Sequence, residues 1–201
     1  MQENNLDTKS QLFNTALRLF AVNGYENVSV RQIADAVGIK AGSIYNHFST
    51  KEEMLDSCYE YWIKNRHKNR LDKKHYEPII KNGTKEEVLN VLLYQFPQSI
   101  GENMIFCLII IFSRIHSDSK AKNIYIDEID TSMRYMADFF NSGIKAGRFQ
   151  EFNFRVISWI LLSSRLFLAQ VTTISPEKIN HWGKVQTDTF TELLKLIPFK
   201  Y

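Results

Sequence analysis

Residues 38–54 read GIKAGSIYNHFSTKEEM and combine two glycines with a run of small polar and aromatic side chains. The stretch is too short and too polar to form a core segment. Gly38 suits a turn, because glycine adopts positive φ at little steric cost. One helix signal ends just before the stretch and another begins after Thr50. We therefore predict a tight turn at Gly38 and Ile39, followed by a very short helix over about residues 41–47.

Most of the chain carries the signals of helices. A Ser or Thr followed three residues later by Glu or Gln can form a capping box, in which each side chain binds a backbone N–H of the other residue. Prolines are rare and alternating strand patterns are absent, so we predict an all-α protein. The pairs that fit the capping box are Thr8 with Gln11, Ser29 with Gln32, Thr50 with Glu53, and Thr84 with Glu87.

The predicted helices change character along the chain. Helices over about 9–22 and from Ser29 to Gly38 precede the short one, and a fourth helix starts after Thr50. Beyond residue 70 the helical segments are longer, more apolar and more aromatic. We place them at about 84–96, 102–116, 120–146, 153–173 and 176–197. The predicted domains are residues 1–70 and 71–201, with a soft boundary around 70–82.

The segment from Ser29 to about residue 47 reads as a helix-turn-helix. In this motif the second helix enters the major groove of DNA with its N-terminal end near the bases. Small residues at Ala41 and Gly42 allow a close approach of the backbone. Ser43, Tyr45, Asn46 and His47 offer donors to phosphate oxygens, and Lys51 adds a positive charge at the start of the next helix.

Composition limits the alternatives but does not by itself indicate a nucleic-acid partner. The net charge is +3, and residues 1–70 hold nine basic and eight acidic side chains. The two cysteines provide neither a disulfide framework nor metal-type spacing. The polar start MQENNLDTK lacks the apolar region of a signal peptide. The longest apolar run, residues 104–112, is far shorter than the roughly 20 residues that span a bilayer. We expect a cytoplasmic protein that is not membrane-bound.

The sequence offers no support for an enzyme. No nucleophile–base pair, glycine-rich phosphate loop or metal spacing is visible, so we expect no catalytic residues, no metal and no cofactor. His47 has no His, Cys or carboxylate partner at ligand spacing, which favours a phosphate contact over a catalytic or metal role.

Residues 8–62 resemble the DNA-binding domain of the tetracycline-repressor (TetR) family of bacterial transcription regulators. The resemblance is carried by Ala16, Phe20, Gly24, Tyr25, Ser29, Val30, Ile33, Ala34, Ala36, Gly38, Gly42, Ser43, Ile44, Tyr45, His47, Phe48 and Lys51. It implies an N-terminal three-helix helix-turn-helix domain, joined by the fourth helix to a C-terminal helical domain for effector binding and dimerisation. The implied function is a ligand-responsive DNA-binding regulator, a repressor, that acts as a homodimer on a palindromic operator.

The resemblance also implies roles for individual residues. Phosphate contacts are expected from Ser29, Ser43, Tyr45, His47 and Lys51, and base or groove contacts near Arg31, Lys40, Ala41, Gly42 and Asn46. The chain departs from many members at three positions: Lys40 replaces Ser or Thr, Ala41 replaces Lys, and Asn46 replaces an aromatic residue. Asn can read adenine through two hydrogen bonds, so the operator sequence stays open.

The family places a ligand pocket between the helices of the second domain. The candidate lining residues are Phe96, Met104, Phe106, Cys107, Ile110, Arg114, Tyr135, Phe139, Trp159 and Phe167, although such aromatic stripes also occur in ordinary cores. Arg114 and Arg165 lie in strongly apolar segments. They either meet an anionic ligand, reach acids such as Glu128 or Asp138, or extend to the surface. We expect a small-molecule effector that is largely apolar.

The last predicted helix carries the expected dimer contacts, Trp182, Gln186, Phe190 and Leu193. The basic run from Lys64 to Lys74 is expected to be a solvated face, with additional DNA contact as the alternative. A further alternative keeps the same fold and DNA binding but replaces the effector with a controlling protein partner.

Overall fold

The computed structural model describes residues 7–66, 68, 71–95, 101–174 and 179–200. The chain is all-α, as predicted, and a lone antiparallel bridge pairs Phe149 with Phe199. Two short 3₁₀ helices cover Tyr25–Asn27 and Ala41–Asn46. The α-helices are α1 Thr8–Asn23, α2 Val30–Val37, α3 Lys51–Asn65, α4 Lys73–Asn82, α5 Lys85–Gln95, α6 Glu102–Arg114, α7 Ser119–Lys145, α8 Phe154–Ile174 and α9 Ile179–Lys195.

Hydrogen bonds at the helix starts confirm two complete capping boxes. The Ser29 hydroxyl accepts the backbone N–H of Gln32 at 3.2 Å, while the Gln32 side chain accepts the N–H of Ser29 at 2.7 Å. Thr84 and Glu87 make the same pair of bonds at 3.2 and 2.6 Å. These bonds satisfy donors that a helix N-terminus otherwise leaves without partners.

The other two predicted boxes differ from the expectation. Thr50 caps α3 by accepting the N–H of Glu53 at 3.0 Å, but the Glu53 carboxylate accepts the N–H of Ser49 at 2.6 Å. The pairing of Thr8 with Gln11 was wrong. Asp7 is the capping residue of α1, because its carboxylate accepts the N–H of Ser10 at 2.8 Å, and Thr8 is already helical.

Helix α4 was not predicted from the sequence. It contains Pro78, which lacks the N–H of a regular helical bond and therefore argued against a helix interior. Tyr76 and Ile80, one turn apart, are 2% and 1% exposed and fix the helix by burying its apolar side.

The chain divides into two compact units that are each discontinuous in sequence. The first consists of Met1–Arg66 and Ile100–Tyr125, and the second of His67–Ser99 and Ile126–Tyr201. In the first unit, α6 packs against α1 and α3. The division into functional domains near residue 70 stays a prediction.

The second unit has a core rich in phenylalanine. Phe139, Phe140 and Phe149 are fully buried, and Phe149 meets Phe199 edge-to-face with ring centroids 5.0 Å apart. Edge-to-face pairs are a favourable aromatic geometry. Gly143 is required here, because a Cβ at this position would lie 2.0 Å from Cε2 of Phe149. In the described part of the chain, no helix is both long enough and apolar enough to cross a membrane.

Candidate nucleic-acid interface

The turn after α2 is defined by its backbone. Gly38 has the left-handed dihedrals φ 81° and ψ 27°, which favour glycine. Its N–H donates to the carbonyl of Ala34 at 2.9 Å, and the N–H of Ile39 donates to the same carbonyl at 3.0 Å. The chain thereby ends α2 and reverses within two residues, as a helix-turn-helix requires.

Buried side chains fix the segments on both sides of this turn. Ile33 and Ala34 of α2 are fully buried, and Ile44 and Phe48 are 1% and 2% exposed. Ile44 and Phe48 therefore belong to the core of the first unit. Burial of these apolar side chains determines which residues of the second helix remain outside.

The second helix of the motif, Ala41–Asn46, is a 3₁₀ helix. Its bonds include Ser43 N–H to the Lys40 carbonyl at 2.9 Å and His47 N–H to the Ile44 carbonyl at 2.8 Å. Side chains three residues apart align in a 3₁₀ helix. Ala41 and Ile44 therefore share the inner edge, while Gly42 aligns with Tyr45 on an exposed edge.

All ten predicted DNA-binding residues retain accessible surface, and Tyr45 is 57% exposed. They lie around the start of α2, on the 3₁₀ helix with its flanking residues, and at the start of α3. Arg31 is exposed and lies 3.9 Å from Asp35. The exposed members are Ser29, Arg31, Lys40, Gly42, Tyr45 and Asn46, and the half-buried members are Ala41, Ser43, His47 and Lys51.

Lys9 lies next to this surface, although no sequence pattern indicated that it would. Its ammonium lies 5.4 Å from the ring centroid of Phe48. The neighbouring Asp7 has a lowered pKa, chiefly because its carboxylate accepts the N–H of Ser10, and the charge of His47 contributes less. The start of α1 therefore lies beside the end of the 3₁₀ helix, a proximity that depends on packing and not on local sequence.

Lys51 lies over the ring of Tyr25, with the ammonium 4.0 Å from the ring centroid. The hydroxyl of Tyr25 donates to Oε1 of Glu52 at 3.1 Å. Burial, and then this hydrogen bond, raises the pKa of Tyr25 to about 12, so the phenol stays neutral at physiological pH. From the sequence, Tyr25 was expected only to be one of the residues shared with the TetR family.

Arg114 has protein partners in the first unit. Its Nη1 donates to Oε1 of Glu26 at 2.8 Å, and its Nε lies 3.5 Å from Oδ2 of Asp118. These acids differ from Glu128 and Asp138, which the sequence had suggested. The side chain of Arg165 is not among the side chains that the structure describes. In the basic run, Lys73 pairs with Glu77 and Lys74 with Asp72, as exposed side chains do.

The other candidate pocket residues of the first unit lie on α6. Met104 is half-buried, Phe106 is 9% exposed, and Cys107 and Ile110 are each 1% exposed. The Cys107 thiol donates to the carbonyl of Cys58 at 3.3 Å. Burial raises the pKa of the Cys58 thiol to about 12 and also raises that of Cys107.

The candidate pocket residues of the second unit have contrasting environments. Phe139 is fully buried and Tyr135 is half-buried, whereas Trp159 and Phe167 are 56% and 55% exposed. Phe96 lies outside the described residues. The pocket itself stays a prediction, and nowhere in the described ranges do three or more His, Cys, Asp or Glu side chains form a metal-binding group.

The candidate dimer residues also differ in how exposed they are. Phe190 is 4% exposed and belongs to the core of its own unit, while Trp182, Gln186 and Leu193 are half-buried. Helices α8 and α9 pack together, and both present exposed apolar side chains. We call this set the α8–α9 apolar face: Val156, Trp159, Ile160, Phe167, Val185 and Leu196, between 37% and 68% exposed.

Known proteins resemble the chain both locally and along most of its length. Residues 12–58 match the family model for bacterial regulatory proteins of the tetR family. The HTH-type transcriptional repressor KstR2 of Rhodococcus jostii (strain RHA1) is 27% identical over 143 residues, which cover 71% of this chain and 68% of the relative. The repressor of the same name in Mycobacterium tuberculosis (strain CDC 1551 / Oshkosh) is 28% identical over 146 residues, covering 71% and 69%.

The fold comparison extends over nearly the whole chain. The solved structure of the ketosteroid transcriptional regulator KstR2 of Mycobacterium tuberculosis superposes with a TM-score of 0.68. The alignment covers 98% of each chain at 20% sequence identity. This likeness shows a shared fold, and the family match of residues 12–58 includes the whole helix-turn-helix segment.

Proposed function

We start from the premise that the chain belongs to the TetR family of bacterial transcriptional regulators, which are not enzymes, and propose that it is a dimeric repressor released from its operator by an apolar effector. The observation that carries this proposal is the exposed outer edge of the 3₁₀ helix, on which Gly42 aligns with Tyr45. Within the protein, a Cβ at Gly42 would meet no described atom within 4 Å. A glycine that internal packing does not require is suited to close approach by DNA.

We propose that the ten predicted DNA-binding residues have the roles expected from the resemblance. The phosphate contacts come from Ser29, Ser43, Tyr45, His47 and Lys51, and the base or groove contacts from Arg31, Lys40, Ala41, Gly42 and Asn46. Phosphate contacts supply affinity and register, whereas contacts to base edges supply sequence discrimination. Lys9 is added as a phosphate contact, because it lies at the same end of the surface.

Dimerisation is proposed through the α8–α9 apolar face. Val156, Trp159, Ile160 and Phe167 repeat at spacings that place them on one side of α8, and each is at least 37% exposed. Exposed apolar side chains that recur on one side of a helix mark a candidate interaction site. Trp182, Gln186 and Leu193 lie beside this face as proposed secondary contacts, whereas Phe190 serves the protomer's own core.

The effector is proposed to be small and largely apolar. The structural relative is named a ketosteroid transcriptional regulator, and a steroid-like molecule fits the apolar character of the second half of this chain. An effector that binds more tightly to the conformation unable to hold DNA shifts the population away from the operator. We propose that α3, which carries Lys51 at its first position, transmits this change in the cytoplasm of the cell.

Selection from a random pool of 30-base-pair duplexes tests the DNA-binding proposal. The purified protein is expected to enrich an inverted repeat whose half-site centres are about 10 base pairs apart, because the two helix-turn-helix motifs of a dimer enter successive major grooves. A pool that shows no enrichment after repeated rounds at low salt would contradict the proposal. Enrichment of a single asymmetric site would contradict the two-fold arrangement alone.

A thermal-shift measurement tests the effector. Ketosteroids and long-chain apolar acids are expected to raise the melting temperature and to release the selected duplex, whereas matched polar sugars change neither. If no apolar compound shifts the melting temperature while DNA binding is intact, control by a protein partner becomes the preferred explanation.

A further inference from the structure

Two cationic side chains from different helices share the ring of Tyr25. The ammonium of Lys51, at the start of α3, lies 4.0 Å from the ring centroid. The guanidinium of Arg114, in the last turn of α6, lies 4.4 Å from the same centroid. Cations are attracted to the electron-rich faces of an aromatic ring, so both groups interact with the same ring.

The shared ring cannot move away from either cation. Tyr25 is 8% exposed, and its hydroxyl donates to Glu52 at 3.1 Å. Phe20 packs edge-to-face against it with centroids 5.0 Å apart. The position of the Tyr25 ring is therefore fixed by its packing and its hydrogen bond.

Arg114 is held in place by acids on its other side. Its side chain is 14% exposed and binds Glu26 at 2.8 Å, and Asp118 lies 3.5 Å from its Nε. Asp118 is itself fixed, because its carboxylate accepts the hydroxyl of Tyr59 at 2.8 Å. Arg114 is thus more firmly positioned than Lys51, for which the described contacts are the rings of Tyr25 and Phe20.

We propose that Arg114 is a positioning residue for DNA binding, because its charge over Tyr25 keeps the ammonium of Lys51 weakly held and available to a phosphate. This inference rests on the proposed function, which assigns a phosphate contact to Lys51. Like charges that share a ring repel, so each weakens the hold of the other. Without the guanidinium, the ammonium of Lys51 is held more strongly by the ring and reaches a phosphate less readily.

A double-mutant cycle on DNA binding tests this coupling. The dissociation constant is measured by fluorescence anisotropy with the selected duplex and with a random-sequence duplex, for the full-length wild type, Arg114→Met, Lys51→Met and the double variant. Arg114→Met is expected to weaken binding about two- to fivefold, the equivalent of one exposed cation–π contact. In the Lys51→Met background the same substitution is expected to have no further effect on the dissociation constant, because the ammonium through which Arg114 acts is absent.

Two controls separate this mechanism from a general loss of charge or structure. Lys122→Met removes one exposed positive charge from the same unit and is expected to leave the dissociation constant within the error of the wild type. Combining Arg114→Met with Lys40→Met is expected to give additive effects, because Lys40 has no described contact with Tyr25. Cooperative melting is checked for every variant, and Arg114→Gln replaces Arg114→Met in the cycle if the latter does not fold.

Three outcomes would overturn the inference. One is unchanged binding of Arg114→Met in the wild-type background. Another is an equal loss in the Lys51→Met background, which would assign Arg114 a purely structural role. A wild type that binds no duplex would remove the proposed function and this inference with it, whereas an additive cycle on a wild type that binds DNA removes only the inference.

Discussion

Tyr45 and Asn46 are adjacent and exposed, yet they lie on different edges of the 3₁₀ helix. We expect Tyr45→Phe to weaken binding of every duplex by a similar factor, because a phosphate contact carries no base information. Asn46→Ala is expected to lose discrimination at one operator position, worth about 1–3 kcal/mol for a contact with two hydrogen bonds. Binding to the selected duplex and its single-base variants measures both effects. Equal loss on all duplexes for both variants would show that Asn46 reads no base.

At the residue scale, the sequence predicted the turn and core positions of residues better than it predicted their interaction partners. Gly38, Ile44 and Phe48 have the turn and core positions that their chemistry indicated. Of the acids that meet Arg114, Glu26 could not be predicted, because it lies on a 3₁₀ turn far from Arg114 in sequence and is brought near only by packing. Asp118, by contrast, is a local partner four residues further along the chain. The position of Lys9 beside Phe48 could not be predicted for the same reason.

At the scale of elements, the cap of α3 links the stability of the helix to the proposed DNA-binding surface. Thr50 accepts the N–H of Glu53, and Lys51 is the first residue of the helix that this bond begins. Thr50→Ala is expected to cost about 1 kcal/mol of unfolding free energy and also to weaken DNA binding, because the first turn then frays beneath Lys51. Chemical denaturation and anisotropy measure the two effects.

Thr84→Ala is the matched control, because Thr84 caps α5 in the second unit with its own hydrogen bond to Glu87. It is expected to lower stability by a similar amount and to leave DNA affinity unchanged. If both variants lowered affinity equally, the loss would reflect global stability and not the position of Lys51.

The sequence predicted most helices within a few residues, because apolar periodicity and caps are local signals. The exceptions have physical reasons. Helix α4 was not predicted, because it contains Pro78 and proline is unfavourable inside a helix. The capping residue of α1 is Asp7, where Thr8 had been predicted. The short helix after the turn was predicted, but its 3₁₀ form depends on the burial of Ile44 and Phe48 and has no separate sequence signal.

At the scale of the whole molecule, the α8–α9 apolar face leads to a prediction about assembly. Trp159→Asp is expected to raise the dimer dissociation constant at least about 30-fold, as the loss of a central aromatic anchor does. Sedimentation then shows monomers at micromolar concentration, and operator affinity falls because the two half-sites are no longer bound together.

Val22→Asp is the control for this prediction, because Val22 is 54% exposed on α1, which belongs to the first unit. It is expected to remain dimeric. A Trp159→Asp variant that still sediments as a dimer would place the interface elsewhere.

The sequence could not separate pocket, core and interface among the aromatic residues of the second half. Phe139 is fully buried, whereas Trp159 and Phe167 are more than half exposed, although all three were expected to line the same pocket. An apolar side chain favours burial, but only the packing of a helix shows which of its sides is buried within the protomer.

The buried thiols of Cys58 and Cys107 make the opening of the first unit measurable by chemical labelling. The chain has no other cysteines, both thiols are at most 1% exposed, and burial raises the pKa of each. Alkylation requires an accessible thiolate, so the native protein should tolerate iodoacetamide and be labelled only when α3 and α6 separate. The labelling rate would then time that separation without any engineered probe, and comparing it with and without the operator duplex would show how firmly bound DNA closes the unit.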